Sequence, residues 1–478
     1  MAEERSKAKR EGGAEARQVA YKYRIYPKPE QEREMMATVG CCRWVYNHFL
    51  RERTEAYNRT RPTLRRHKLA EGADPSDERP EWARDEDGEY VWEEYENGSY
   101  DPEAKRMTMF DTSKALTRLK KETVDEDGRR WLNDADSVAL VYALRNLEAA
   151  YQNFFKRVKK GEKPGYPRYK RKGEGRDSYR TNMKAEWIDG GGEGRAASIR
   201  LPKVGRLRAV VHRPPEGEPY AATVSRDAAG RWFCCVSCKC APAEPLPERR
   251  DMVGVTTGIS EWLVTSDGEV VENPRRRDRS ARRLARAQRK LSRKQGAREG
   301  ERKSANYLKQ QRRVAKLNAK VADQRADDTH KLTHSLVAEH GAIASREMRV
   351  RDMQQGNKKK GKVGRETNRK LGDANLSEIN RQLAYKSEWA GRGFVLVPHD
   401  YPTAQTCSAC GHKETVLAGD LRPRWTCPAC GTRHHRKANG AVNVLDAAND
   451  ILAGTQASGV SKARAKWEGP EAKRNADA

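Results

Sequence analysis

Two Cys-x-x-Cys pairs, Cys407-Ser-Ala-Cys410 and Cys427-Pro-Ala-Cys430, stand sixteen residues apart. Four thiolates at this spacing can place two knuckles around one tetrahedral Zn²⁺, each turn supplying two sulfurs at about 2.3 Å. Cys407, Cys410, Cys427 and Cys430 are therefore the expected ligands of a structural zinc. Directly downstream runs Arg433-His434-His435-Arg436-Lys437-Ala438-Asn439-Gly440-Ala441-Val442-Asn443. Since four sulfurs complete a zinc shell, His434 and His435 are expected at the surface or facing nucleic acid. A second chemistry lies in Pro164-Gly-Tyr-Pro-Arg-Tyr-Lys-Arg-Lys172, where aromatics alternate with bases. That mixture suits stacking on bases and pairing with phosphates, and makes Arg168, Tyr169, Lys170, Arg171 and Lys172 candidate nucleic-acid contacts.

Charge points the same way. The 478 residues carry a net charge of +28, with 34% charged and only 36% hydrophobic residues, so much of the length must be solvated or bound to polyanion. From Arg275 to Lys320 there are nineteen Lys/Arg against Asp278, Glu299 and Glu301. Arg282, Arg286, Arg289 and Lys290 are candidate phosphate contacts within that segment. The ten cysteines do not read as a secreted disulfide scaffold: four form the ribbon pattern, Cys41 and Cys42 adjoin, and Cys234, Cys235, Cys238 and Cys240 crowd together. The last set lacks a second nearby pair and reads as strand residues. There is no signal-peptide pattern and no apolar run near the roughly 18–20 residues of a membrane span, so a reduced, cytoplasmic protein without a membrane partner is expected.

The elements that must position these groups follow from periodicity. Residues 1–17 are polar and expected to be disordered. Val19 to Tyr26 alternate as a strand ended by Pro27, and a helix should run from Pro29 past Trp44 to Phe49. Residues 71–104 hold fourteen Asp/Glu and read as an acidic insertion. Val138, Val141, Leu144, Leu147, Tyr151 and Phe154 have helical spacing. Residues 197–240 read as short strands that the N-terminal strand would complete into a small β-barrel, and Pro242, Pro245 and Pro247 mark a linker. Beyond it come a buried strand at Met252–Ile259, a hairpin turning at Asp267-Gly268, a basic helical region at 275–340, a strand from Gly341, a basic loop from Gly356 to Gly364, a helix over 376–391 and a strand at Phe394–Pro398. The tail from 455 to 478 is polar.

Several runs resemble the TnpB family, the transposon-encoded RNA-guided nucleases related to type V CRISPR effectors. They are Tyr23-Arg-Ile-Tyr-Pro27, Cys41-Cys-Arg-Trp-Val-Tyr-Asn47, Gly165-Tyr-Pro-Arg-Tyr-Lys170, Leu201-Pro-Lys-Val-Gly205, Ser266-Asp-Gly-Glu269, Leu291-Ser-Arg-Lys294, Gln382-Leu-Ala-Tyr-Lys386 and the cysteine ribbon, in family order. The resemblance implies an α/β multidomain chain. Residues 18–30 and 163–245 would form a split β-barrel wedge domain, and 31–162 a helical recognition domain. An RNase-H-like RuvC domain would span 250–454, with a zinc ribbon at 402–434.

A RuvC nuclease uses three carboxylates to hold two Mg²⁺ about 3.5–4 Å apart. The family's Gly-Ile-Asp-Leu-Gly reads here Gly254-Val-Thr-Thr-Gly258, its Ile-x-x-Glu-Asp-Leu reads Ile343-Ala-Ser-Arg-Glu-Met348, and the aspartates of its Asp-Arg-Asp-x-Asn fall on His435 and Lys437. The resemblance therefore places Thr256, Arg346 and Lys437 at the acid positions. Glu347 would point away on its strand, and Asp446 is more than two helical turns beyond Lys437. No catalytic Mg²⁺ is expected, and Arg346 and Lys437 become candidate contacts to a DNA strand. The expected function is guide-RNA-directed binding of double-stranded DNA beside a short flanking motif, without cleavage. Repression would follow from blocking RNA polymerase at a promoter, and the protein would lie on a prokaryotic nucleoid when bound. The alternatives are an active nuclease with displaced acids, an inactive type V-like subunit that recruits another effector, and a guide-free zinc-ribbon DNA-binding protein.

Overall fold

The computed structural model describes residues 17–59, 107–173, 175–191, 196–294, 303–358, 361–414 and 423–454. The expected disordered tail (apart from Arg17), the acidic insertion 71–104 and the polar tail from 455 lie outside them. Two compact units divide the chain between Cys240 and Ala241. The expected helical domain falls within the unit of residues 18–240 together with the wedge domain up to Cys240, while residues 241–245 of the expected wedge fall in the other unit.

In the first unit, β1 (Arg17–Tyr26) buries Val19, Tyr21, Tyr23 and Ile25, the alternate positions of a half-buried strand. Helix α1 (Pro29–Arg59) starts on a proline, whose missing N–H costs nothing there, with Glu30 and Glu32 in its first turn. Helix α2 (Met109–Glu122) follows. Helix α3 (Ser137–Lys159) is capped by the Asp136 carboxylate and buries Leu140, Ala143, Leu144, Leu147 and Tyr151. Strands β2 (Asp177–Asn182), β3 (Ile188–Asp189), β4 (Ser198–Leu201), β5 (Gly205–Val210), β6 (Glu218–Arg226) and β7 (Trp232–Cys240) join β1 in one sheet of order β2-β6-β7-β1-β5-β4-β3. The N-terminal strand does complete this sheet, at its centre. The hydrogen-bonded order is linear, with β2 and β3 as its edges. Cys234, Cys238 and Cys240 lie on the buried face of β7, and burial pushes the Cys234 thiol up to about 12.

The second unit is built on β8 (Met252–Thr257), β9 (Glu261–Thr265), β10 (Val270–Glu272), β11 (Ala342–Arg346) and β12 (Gly393–Val397), in order β10-β9-β8-β11-β12. β8, β11 and β12 run parallel, while β9 and β10 return antiparallel through a turn with Gly268 at φ 88°. Parallel strands need long crossovers. The first contains α4 (Arg276–Ser292) and α5 (Ala305–Glu339); the second contains α6 (Val350–Lys358), α7 (Gly361–Ala374) and α8 (Leu376–Trp389). Two further strands, β13 (Arg424–Thr426) and β14 (Arg433–His435), form a small hairpin that leads straight into α9 (Arg436–Leu452). One core gathers Val253, Val255, Leu263, Ile343, Ile379 and Leu383, and a second gathers Ala344, Val395, Val397, Val444 and Ala448. Helix α9 lies hard against β8, because a Cβ at Gly254 would sit 2.1 Å from the Ala441 carbonyl.

The basic loop expected from Gly356 to Gly364 is mostly helical, as the end of α6 and the start of α7. Its lysines hid the period, since α7 buries only Gly364, Leu371, Asp373 and Ala374. Polar ties hold the two helices together instead: Asn368 Nδ2 donates to the Gln354 carbonyl at 2.9 Å and Asn357 Nδ2 to Asn368 Oδ1 at 3.0 Å. Lys359 and Lys360 lie outside the described residues.

Candidate functional site

The four cysteines converge. Their sulfurs all lie within 4.8 Å of one another, and this is the one group of three or more His, Cys, Asp or Glu ligand atoms so gathered among the described residues. The two knuckles repeat one backbone design. Cys407 N–H donates to the His412 carbonyl and Gly411 N–H to the Cys407 carbonyl; Cys427 N–H donates to Thr432 and Gly431 N–H to Cys427, all at 2.9 Å. Gly411 and Gly431 take φ of 73° and 72°, the left-handed conformation that lets each turn close. Cys407–Cys430 and Cys410–Cys427 sulfur separations are both 3.7 Å. A tetrahedron with bonds of about 2.3 Å has edges of roughly 3.8 Å, so the site fits a zinc ion.

His434 departs from the sequence expectation. It is 9% exposed, its ring centroid lies 5.0 Å from that of Trp425, and its Nε2 is 3.0 Å from Cys407 Sγ. Strand β14 sets it directly opposite Trp425 of β13, facing the sulfurs. Such a ring orients a ligand sulfur from behind. The ribbon is fixed in turn to α9: Asn439 Oδ1 accepts from Ser408 N–H at 2.9 Å, and Asn443 Nδ2 donates to the Thr403 and Thr406 carbonyls at 2.8 and 2.7 Å.

Beside this junction lie Thr256, Arg346 and Lys437, the three positions that the resemblance sets against the family's acids. Strands β8 and β11 pair in parallel with Ser345 opposite Val255, so Thr256 and Arg346 follow side by side at the carboxyl ends of neighbouring strands. Ligand sites of open α/β sheets form at such ends. Thr256 Oγ1 is buried without a hydrogen-bond partner, 3.4 Å from where a Cβ on Gly440 of α9 would stand. Lys437, the second residue of α9, donates from Nζ to the Glu261 carbonyl at 2.7 Å and lies 3.1 Å from Glu261 Oε2. His435 places Nε2 3.0 Å from Glu261 Oε1, while its Nδ1 accepts from Ala438 N–H and caps the helix. The accepting Nδ1 assigns the proton to Nε2, which donates to the carboxylate. Burial pushes the Glu261 carboxyl up, but its hydrogen bonds with Lys437 and His435 and the charge of Lys437 hold it below its ordinary value.

Arg346 turns its guanidinium onto the chain after β12. Nε and Nη2 donate to the His399 carbonyl, the former at 3.1 Å, and Nη1 to Thr403 Oγ1 at 3.3 Å. Burial lowers its pKa, and Asp400 opposes the shift. Both cations expected to meet a DNA strand thus already have partners within the protein. Glu347 lies 3.8 Å from Arg349 and 3.6 Å from His399, apart from this set. Asp446 is exposed farther along α9, its carboxyl raised by burial and by Asp450. Glu261, Asn443 and Thr403 carried no sequence signal, because each acts through partners remote in the chain.

The basic residues separate into exposed and pinned groups. On α4, Leu284 and Ala287 face inward, while Arg282, Arg286, Arg289 and Lys290 are exposed. Arg168, Tyr169, Arg171 and Lys172 are exposed in the other unit. Lys170 is held there by Asn47, whose side chain bonds its backbone N–H and carbonyl at 2.8 and 2.9 Å, and its Nζ sits 4.0 Å from the Tyr46 ring centroid. Among the described residues, no helix is long and apolar enough to cross a membrane.

Comparison with known proteins covers nearly the whole chain. Family models described as a helix-turn-helix domain, a probable transposase and a Cas12f1-like TNB domain match residues 17–62, 234–357 and 377–444. A Streptomyces pristinaespiralis protein named "Putative RNA-guided DNA endonuclease" is 33% identical over 90% of this chain and 89% of its own length. An Escherichia coli K12 protein named "Putative RNA-guided DNA endonuclease InsQ" is 29% identical over 91% of this chain and 93% of its own. Among solved structures, a Cas12f1-sgRNA-target DNA complex aligns over 90% of this chain and 98% of its own with 12% identity and a TM-score of 0.45.

Proposed function

The chain belongs to the TnpB family, and from that premise we propose that it binds double-stranded DNA under the direction of a guide RNA without cutting it. The relatives' names support RNA-guided DNA targeting. The wedge-like sheet, the basic helices α4 and α5 and the ribbon-bearing second unit, read as a RuvC-type domain, would grip the guide and its heteroduplex through the backbone, leaving sequence choice to base pairing. The cysteine cluster would hold one structural zinc.

One observation carries the reading of lost cleavage. The resemblance aligns Thr256, Arg346 and Lys437 with the acids that would hold two Mg²⁺, and the Glu261 carboxylate beside them is engaged by Lys437 and His435. A hydroxyl, a guanidinium and an ammonium supply no anionic oxygen for a hard cation and add positive charge. A displaced-acid nuclease would need Glu261 free and joined by further carboxylates. With cutting lost, a long-lived complex near a promoter would obstruct RNA polymerase, so repression is the expected output.

The test uses the purified protein with its copurifying RNA. That RNA is sequenced, and a plasmid carrying the guide-matched site is offered in Mg²⁺. Guide-dependent binding with no nick or break is expected. Mg²⁺-dependent cleavage would overturn the reading, and absence of a discrete RNA would overturn its guided part.

A further inference from the structure

The unit of residues 18–240 carries a half-open pocket of about 400 Å³, within the roughly 300–1,000 Å³ span of small-ligand sites. Its wall draws on α1, on α3, and on the segment running from Arg168 into β2. Six cations line it: Arg43, Arg168, Lys170, Arg171, Arg176 and Arg180. Among the described lining residues the only carboxylate is Asp177, which pairs with Arg43 at 3.2 Å. The Arg180 guanidinium lies 4.9 Å from the Tyr142 ring centroid, and its buried Nε has no hydrogen-bond partner. Burial pushes the Lys170 pKa down, and Arg43 pushes the same way against Cys42. So many like charges around one space are unfavourable until an anion enters.

A phosphate alone would leave most of this volume empty. The remaining wall is suited to the rest of a nucleotide: Tyr169 offers an open ring, 54% exposed, and Asn146 and Ser178 offer neutral donors and acceptors. Single-stranded RNA is recognised where bases leave the stack, lie on aromatic or guanidinium planes and expose a 2′-hydroxyl. We propose that this cavity takes one unstacked ribonucleotide of the guide RNA. Its phosphate lies among Arg168, Arg176 and Arg180, its base against Tyr169, and its 2′-hydroxyl toward Asn146 or Ser178. The choice of strand rests on the RNA-guided reading above; the cationic cavity does not.

The experiment compares wild type with Arg176→Ala and Tyr169→Ala, both at exposed side chains, each purified with its copurifying RNA. A 2′-hydroxyl acylating reagent reads every nucleotide of that RNA, and thermal unfolding verifies the fold. One nucleotide, protected in wild type, is expected to become reactive in both variants while the remaining footprint stays. RNA affinity should fall several-fold, with the log–log salt slope shallower by about 0.7 for Arg176→Ala and unchanged for Tyr169→Ala. An identical reactivity pattern and slope in all three proteins overturns the proposal. So does a change confined to DNA binding, which would give the cavity to the DNA strand. A wild type that carries no discrete RNA would instead sink the guided reading, a result visible before any variant is made.

Discussion

The Lys437 ammonium lies 3.1 Å from a carboxylate oxygen of Glu261 and 2.7 Å from the same residue's backbone carbonyl, across 176 residues of sequence. The pair ties the start of α9 to the start of β9 in the cleft where the family's acids would stand. Glu261 is held below its ordinary pKa, although burial alone would raise it. A depressed carboxyl contributes stability above its unfolded pKa and loses it as pH falls through the folded value. Glu261→Gln should therefore destabilise this unit near neutrality by about 1 kcal/mol, since Lys437 loses its anionic partner but keeps the Glu261 backbone carbonyl. Wild type and variant should converge only as pH falls below the ordinary carboxylate range and through the depressed folded value. Thermal unfolding followed from pH 7 to pH 3 measures this, and parallel curves would sink it.

Restoring the acids tests the cleft's geometry. Thr256→Asp, Arg346→Glu and Lys437→Asp together should recover Mg²⁺-dependent nicking of guide-matched DNA. Adding Glu261→Gln should improve it, because removing Lys437 strands the Glu261 carboxylate beside a new aspartate. A gel assay over a Mg²⁺ series decides. If the fourth change instead lowers nicking, Glu261 is acting as a ligand and the displaced-acid reading gains.

Metal analysis of the purified chain should find one zinc. Cys407→Ser or Cys427→Ser, or chelation, should unfold the ribbon locally, since structural zinc supplies much of such a module's folding free energy. His434→Ala should keep the metal but weaken its affinity by roughly 10-fold or more, the usual loss when a supporting group is removed. Equal zinc retention under a competing chelator would show that His434 only packs on Trp425.

Arg282, Arg286, Arg289 and Lys290 lie exposed on α4. Neutralising them should lower the slope of log affinity for guide RNA against log salt by about 0.7–0.9 for each side chain that pairs with a phosphate. An unchanged slope in the fourfold variant would make that face a solvated helix.

What could be read in advance divides by range of interaction. The cysteine knuckles and β1 rest on local spacing and stand where the sequence puts them, whereas α1 continues ten residues beyond Phe49 to Arg59 and the buried face of α3 runs through Leu140 and Ala143 instead of Val138 and Val141. His434 looked spare because counting ligands cannot tell that β14 would set it against Trp425 and a ligand sulfur. Helices α6 and α7 were obscured because asparagine hydrogen bonds, more than an apolar stripe, hold them. The position of Arg346 was legible, but its attachment to the His399 carbonyl was not, since a cation's partner is set by tertiary contact.

Because Gly254 lets the Ala441 carbonyl come within 2.1 Å of where its side chain would begin, β8 depends on a helix made roughly 190 residues later. At ~5–20 residues per second, the ribosome delivers that cover some 10–40 s after the strand itself. Throughout that interval the strand's helix-facing surface is bare, and the ribbon's anchor does not exist. The hairpin of α4 and α5, with its exposed arginines, emerges well before either. RNA that arrives during translation would therefore meet charged helices without a finished sheet behind them. A chain stopped short of α9 would keep the unit of residues 18–240 but leave β8 uncovered and the ribbon without its anchor.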